Sequence, residues 1–182
     1  MYDESTSRNR SSVSNLSGPA FSGAPDDAPL RLAIIGCGNP ARSDDGAGIE
    51  VIRLLAQTAP PPGVMLIDAG TSGMDVMFRV RGAREVVIVD ACRSGSEPGA
   101  IFRLPAREAM TPAGHGYSQH GLRWDHALYA GSRMYGDAFL DRAEAILIEA
   151  GELGFGLELS EPVRQAARAV AALLGPRVAA HG

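Results

Sequence analysis

Residues 32–48, LAIIGCGNPARSDDGAG, place a short apolar run directly before a glycine-rich turn and the start of a helical pattern. A strand that passes through such a turn into a helix is typical of a dinucleotide phosphate cradle. The first two glycines of that fingerprint are present, and Ala41 takes the third position as a permitted variant. However, Asp44 and Asp45 stand where a pyrophosphate would lie, and carboxylates repel phosphate. The two acids therefore indicate that the turn does not bind phosphate, and a nucleotide-dependent enzyme is the weaker alternative.

Short apolar runs alternate with amphipathic stretches along the rest of the chain. The apolar runs predict strands at Leu32–Ile35, Val64–Ile67, Glu85–Val89, Ala100–Leu104 and Ala145–Ile148. The other patterns predict helices at Gly46–Ala56, Ser72–Val80, near Gln119–Ala130, and from Glu161 to Leu174 after a Ser160 cap. Because this alternation gives parallel strands joined by crossover helices, we expect an α/β three-layer sandwich. Its twisted sheet should be mostly parallel, with about five strands and with helices on both faces.

Composition bounds the domain organisation and the possible partners. Residues 1–29 are rich in serine and poor in periodic apolar residues, so we expect a flexible tail followed by a single α/β domain at 30–182. The net charge of −4 predicts neither a nucleic acid nor an anionic membrane surface as partner. The two cysteines suit a reducing cytoplasm, and neither a membrane span nor a signal peptide is evident. These features together predict a cytoplasmic location, and we expect the protein to be a monomer.

Chemically active side chains cluster where predicted strands end, at the edge where ligands bind in open α/β sheets. Asp44 suits the N-cap of the helix that follows the turn, which leaves Asp45 free to point elsewhere. Asp90 ends the apolar strand VVIVD, where an acid serves equally well as a structural acceptor or as a functional group. His120 follows in a loop rich in proline and glycine, with His115 and His126 nearby. Two carboxylates and an imidazole would suit a metal-contacting site, without specifying a reaction.

The ordered series of motifs resembles the nickel-iron hydrogenase maturation endopeptidases. The resemblance covers the turn 36-GCGNPARSDDGAG-48 and then the segments 68-DAGTSGMD-75, 86-VVIVDA-91, 118-SQH-120 and 159-LSEPV-163. It spans Leu32 to about Leu174, and only the series, not any single motif, is strongly specific. Asp45 stands where some members have glutamate, and Ala69 replaces a usual glycine.

The resemblance implies a protease domain at 30–182 that clips a C-terminal extension from the hydrogenase large subunit after nickel insertion. It implies that Asp45, Asp90 and His120 contact the metal and form the catalytic set. The nickel would be carried by the precursor, which is the partner, and no tightly bound organic cofactor is expected. A non-cleaving maturation chaperone or metal-binding module is the alternative.

Overall fold

The computed structural model describes residues 29–73, 78–79, 82–110 and 124–181. Within these ranges the strands are β1 (Leu32–Cys37), β2 (Val64–Gly70), β3 (Glu85–Cys92), β4 (Ile101–Pro105) and β5 (Ala143–Glu149). They form one sheet in the order β2-β1-β3-β5-β4. All neighbours are parallel except β4, which pairs antiparallel with β5 at the edge. The predicted α/β class and mostly parallel sheet are therefore confirmed.

Helices lie along the chain between and after these strands. A short 3-10 helix (Ser43–Gly46) leads into α1 (Ala47–Leu55). Further helices are α2 (Ala106–Ala109), α3 (Trp124–Tyr135), α4 (Ala138–Asp141) and α5 (Glu161–Ala179). None of the helices in the described ranges is long and apolar enough to cross a membrane.

Two apolar cores lie on opposite faces of the sheet. On one face, α1 and α5 pack against strand residues such as Ile34 and Val87. On the other face, residues of α2, α3 and α4 pack against Ile35 and Ile88. Successive strand residues point to opposite faces, so burial of every β1 residue requires a layer on each side. The three-layer arrangement follows from that pattern.

The last helix was predicted to stop at Gly175-Pro176, and this prediction is wrong. Helix α5 continues through Pro176 to Ala179. Proline removes one hydrogen bond from a helix interior, so contacts beyond it must favour the longer helix. Arg177 forms ion pairs with Glu85 and Glu144, and Val178 packs against the core.

Several predicted features fall on residues outside the described ranges. These are the serine-rich tail at 1–28, most of the helix expected at Ser72–Val80, and the start of the helix expected near Gln119. The predicted strands lie where the structure has them, but β1, β2 and β3 extend further toward their carboxyl ends. Those extensions carry Cys37, Gly70 and Asp90, which belong to the site described below.

Helix α1 begins in unusually close contact with the strands. A methyl group added at Gly48 would lie 2.2 Å from the carbonyl oxygen of Val89 and 2.4 Å from that of Cys37. Backbone atoms of β1 and β3 therefore approach the helix as closely as only glycine permits. This contact holds the turn that precedes α1 against the carboxyl ends of both strands.

We predict opposite effects from alanine at two helical glycines. Gly48→Ala should lower the free energy of unfolding by about 1–3 kcal/mol or more, because neither neighbouring backbone can move easily. Gly175→Ala in α5 is the matched control, since no described atom lies within 4 Å of the added methyl. It should be neutral or raise stability by roughly 0.5–1 kcal/mol. Denaturant unfolding measures both, and a tolerated Gly48→Ala would contradict the close packing.

Candidate functional site

Asp44 is fully buried and binds a distant part of the chain. One carboxylate oxygen, Oδ2, accepts hydrogen bonds from the backbone N–H groups of Gly151 (2.9 Å) and Glu152 (2.7 Å). The backbone N–H of Ser160 donates to Oδ1 at 2.7 Å, and the Ser160 hydroxyl donates to Oδ2 at 2.9 Å. Asp44 therefore fixes the β5–α5 loop and the N-cap residue of the last helix to the glycine-rich turn.

The prediction that Asp44 caps the following helix is therefore wrong. The N-cap of α1 is Gly46, which makes no side-chain cap bond. Ser160 does occupy the N-cap position of α5, but its hydroxyl is directed to Asp44 instead of to its own helix. The Asp44 carboxylate instead serves as the acceptor for backbone N–H groups at the two ends of the β5–α5 loop, Gly151 and Glu152 at its start and Ser160 at its end.

Asp45, the next residue, is directed to a different side of the turn. Both aspartates lie in the 3-10 helix, where consecutive side chains point about 120° apart. The Asp45 Oδ2 atom accepts a hydrogen bond from the backbone N–H of Asn39 at 3.1 Å. Asp45 is only partly buried and lines a small cavity together with Asp90.

This cavity lies at the carboxyl edge of the sheet, beyond β1, β2 and β3. Its wall also contains the following described residues: Cys37, Gly38, Gly70, Thr71, Ser72, Gly73 and Trp124. The cavity volume is about 90 Å³, well below the ~300–1,000 Å³ of typical organic-ligand pockets. A larger cleft of about 480 Å³ lies at the opposite end of the sheet, where Glu85 and Ala143 begin their strands. Asp45 and Asp90 both line the smaller cavity. Its size disfavours a bound nucleotide, which was the alternative function.

Gly38 brings the first strand and the turn together at the cavity. Its φ of +123° is in the region that favours glycine, and its N–H donates to the carbonyl of Gly70 at 2.9 Å. A methyl group at this position would lie 1.8 Å from the backbone oxygen of Asp45. The glycine therefore permits the close approach that puts Asp45 beside the end of β1.

Asp90 is held by a side chain that sequence reasoning missed. Its carboxylate is buried, with Oδ1 accepting from the N–H of Ala91 at 2.8 Å. The indole Nε1–H of Trp124 donates to Oδ2 at 2.6 Å, and Trp124 is itself buried. Buried indole N–H groups usually find an acceptor, so the single tryptophan was a signal that could have been used. The sequence did not indicate which acid would receive it.

The predicted histidine, His120, lies outside the described residues, as does His115. His126 lies on α3, is buried, and does not belong to the cavity wall. Its Nδ1 atom is 3.3 Å from the Asp125 carboxylate. Among the residues that the structure describes, no group of three or more potential metal ligands is formed. The structure thus brings two of the three predicted site residues together, and their chemical roles stay a prediction.

Cys92, at the end of β3, is not a candidate nucleophile. Burial, followed by the hydrogen bond and negative charge of Glu149, raises the pKa of the Cys92 thiol to about 12. The thiol is therefore protonated at neutral pH, whereas a reactive cysteine needs the thiolate. The Glu149 carboxylate accepts hydrogen bonds from the backbone N–H groups of Ser94 and Gly95, from the Ser94 hydroxyl and from the Cys92 thiol. The Ser94 backbone bond has the largest effect, and together these bonds lower the pKa of Glu149 to about 2 despite its burial. Cys92 and Glu149 form a structural cluster that anchors the loop after β3.

The fold and the cavity define an α/β protein with a polar site at the carboxyl edge of a mostly parallel sheet. A sequence model of the HycI hydrogenase maturation protease family matches residues 49–175, which begin just after Asp45. This match covers more than half of the chain. The protein therefore belongs to the hydrogenase maturation protease family.

Individual relatives agree with this assignment. The hydrogenase expression/formation protein HoxM of Azotobacter vinelandii is 32% identical over 138 residues, which are 73% of this chain and 65% of HoxM. A putative hydrogenase maturation protease of Methanocaldococcus jannaschii is 31% identical over 93 residues, or 50% of this chain and 60% of that protein. The matched segments therefore span less than two thirds of the length of these curated relatives.

Two solved structures share the fold. The crystal structure of the [NiFe] hydrogenase maturation protease HycI from Thermococcus kodakarensis superimposes with a TM-score of 0.66 at 24% identity, covering 84% of this chain and 94% of that one. The hydrogenase maturating endopeptidase HybD from E. coli gives a TM-score of 0.64 at 23% identity, with coverages of 81% and 94%. At these identities the likeness shows the architecture.

We predict that Trp124 and Asp90 are energetically coupled. Trp124→Phe removes the N–H donor while keeping an aromatic ring, and should cost about 1–3 kcal/mol of unfolding free energy. Combined with Asp90→Ala, the double variant should lose less than the sum of the single losses, with a coupling energy of about 0.5–3 kcal/mol. Denaturant unfolding of the full cycle provides the measurement.

The control cycle pairs Trp124→Phe with Arg53→Ala, an exposed residue of α1 bound only to Glu50 among the contacts described. Its effects should add within about 0.5 kcal/mol. If the losses of unfolding free energy in the Trp124–Asp90 cycle add as closely as those in the control cycle, the indole does not hold the carboxylate.

Proposed function

We propose that the protein is an endopeptidase that removes the C-terminal extension of a nickel-iron hydrogenase large subunit after nickel insertion. Its partner would be the nickel-containing precursor, encountered in the cytoplasm. The observation that carries the proposal is the shared cavity of Asp45 and Asp90, which come from separate elements of the sheet edge. Membership in the hydrogenase maturation protease family makes this the most direct function for that cavity.

Nickel carried by the precursor is the proposed recognition element, contacted by Asp45, Asp90 and His120. A carboxylate offers about four lone-pair sites, and at Asp90 two of them accept the hydrogen bonds from Ala91 and Trp124. The bond to Trp124 would orient that carboxylate before the substrate arrives. Asp45 keeps a second oxygen for which no partner is described, since only Oδ2 accepts from Asn39.

Cleavage would then follow from positioning. The nickel anchors the precursor so that the scissile peptide lies beside the two carboxylates. A metal ion in this position can polarise the peptide carbonyl or activate a water molecule. The protein itself would supply the ligands that select nickel-loaded precursor, and no organic cofactor is needed for hydrolysis of the peptide bond.

The test compares nickel-loaded with nickel-free precursor on incubation with the protein. Mass spectrometry should show shortening of the loaded precursor and an unchanged mass for the nickel-free one. Equal cleavage of both would contradict metal recognition. Co-elution of the loaded precursor at unchanged mass would contradict the protease and indicate a binding protein instead.

Substitutions at two of the proposed contacts sharpen this test. Asp90→Asn and His120→Ala should each lower processing of loaded precursor by roughly 100-fold or more, because each removes a metal contact. Asp68→Asn is the matched acidic control, since Asp68 lies near the end of β2 but is exposed and outside the cavity wall. His115→Ala is the histidine control. Both controls should process within about twofold of wild type, and full activity in His120→Ala would remove the imidazole from the proposed set.

A further inference from the structure

The β5–α5 loop presents two large apolar side chains almost entirely to solvent. Phe155 is 98% exposed and Leu157 is 85% exposed. They are the two most exposed large hydrophobic residues in the described part of the chain. Single exposed apolar residues are common, but two of this size on one short loop form a local apolar surface that needs a reason.

The exposure follows from the way that the loop is bound to the glycine-rich turn. Gly156, between the two residues, forms a one-residue parallel bridge with Arg42. A methyl group at Gly156 would lie 2.6 Å from the hydroxyl oxygen of Ser43, so this position faces the turn. Phe155 and Leu157 lie on either side of this bound glycine and are the large apolar residues of the segment left exposed to solvent.

The loop is also held firmly in this orientation. The Ser43 N–H donates to the Gly156 carbonyl at 2.9 Å, and the Gly156 N–H donates to the Ala41 carbonyl at 3.1 Å. The Arg42 guanidinium donates to the Leu153 carbonyl at 3.2 Å. The buried Asp44 carboxylate fixes the start and the end of the loop. A loop bound at so many points presents its apolar side chains without a large ordering cost on association.

We propose that Phe155 and Leu157 form a docking surface for the folded body of the precursor protein. This inference rests on the proposed function and names a contact outside the cavity. A cavity of about 90 Å³ holds only a few atoms of a substrate, so it offers little area for recognising a whole protein. The docking surface belongs to the same bonded unit as Asp45, which lies two positions after Ser43, and would hold the precursor close to the cavity.

The chemistry of the partner face follows from the neighbours of the docking surface. Glu152 and Glu158 are exposed on the same loop and flank the two apolar residues. Apolar anchors with a charged rim are usual at protein interfaces. Arg42, an exposed cation, also lies against this loop, so the matching face of the precursor would be an apolar recess bordered by charges that complement both signs. Opposite charges at such a rim chiefly accelerate association.

The experiment measures binding and turnover separately for a double variant, Phe155→Ser with Leu157→Ser. The dissociation constant for nickel-free precursor reports docking in the absence of the metal contact. It should rise about tenfold or more, and KM for nickel-loaded precursor should rise similarly, while kcat stays within about twofold. The matched control is Met134→Ser with Leu173→Ser, which alters two exposed apolar residues on α3 and α5. It should change neither constant by more than about twofold.

The outcomes separate this inference from the proposed function. Unchanged binding and KM in the double variant, with normal cleavage by wild type, would overturn the docking surface alone. Binding that depends on Phe155 and Leu157 without any cleavage by wild type would support the docking surface and overturn the protease. If sedimentation shows that the wild type self-associates through these residues while precursor binding is unaffected, the surface joins two copies of this chain and the inference is wrong.

Discussion

The buried carboxylate of Asp44 is the interaction on which the site depends. It joins the turn after β1 to the loop after β5 and to the beginning of α5, although these segments are more than a hundred residues apart in the chain. A buried carboxylate is costly unless its oxygens accept hydrogen bonds, and here four donors satisfy them. Two motif-bearing segments, the glycine-rich turn and the start of α5, are thus joined by one carboxylate, with further bonds from the backbone of the turn.

This arrangement divides two adjacent acids between structure and chemistry. Because Asp44 is fixed inside the protein, Asp45 is directed to the cavity, where Gly38 allows the turn to approach β1. Close packing at Gly48 sets the turn against β3, whose last residues include Asp90. The glycine-rich turn contacts both the cavity and the loop that carries Phe155 and Leu157. The proposed metal contact and the proposed docking surface would therefore be positioned by the same turn.

The sequence was informative where local pattern decides structure. The four consecutive apolar residues at 86–89 are typical of a strand buried on both faces, and the alternation of such runs with helical patterns indicated the parallel α/β class. Long-range partners were not readable in the same way. Asp44 has the local pattern of a helix cap, but its partners near Ser160 are far away in sequence and came together only on folding. The passage of α5 through Pro176 likewise depends on tertiary ion pairs, and the indole bond to Asp90 depends on how α3 packs.

The central claim is that Asp44 stabilises the fold whereas Asp45 serves processing. It is tested most directly by comparing Asp44→Ala with Asp45→Ala in unfolding and in processing. Asp44→Ala should lose about 3 kcal/mol or more of unfolding free energy, since it removes the acceptor of four hydrogen bonds at once. Asp45→Ala should lose no more than about 1 kcal/mol, yet processing of nickel-loaded precursor per folded molecule should fall by roughly 100-fold or more. An Asp45→Ala protein that processes normally, beside an Asp44→Ala protein of unchanged stability, would contradict the account.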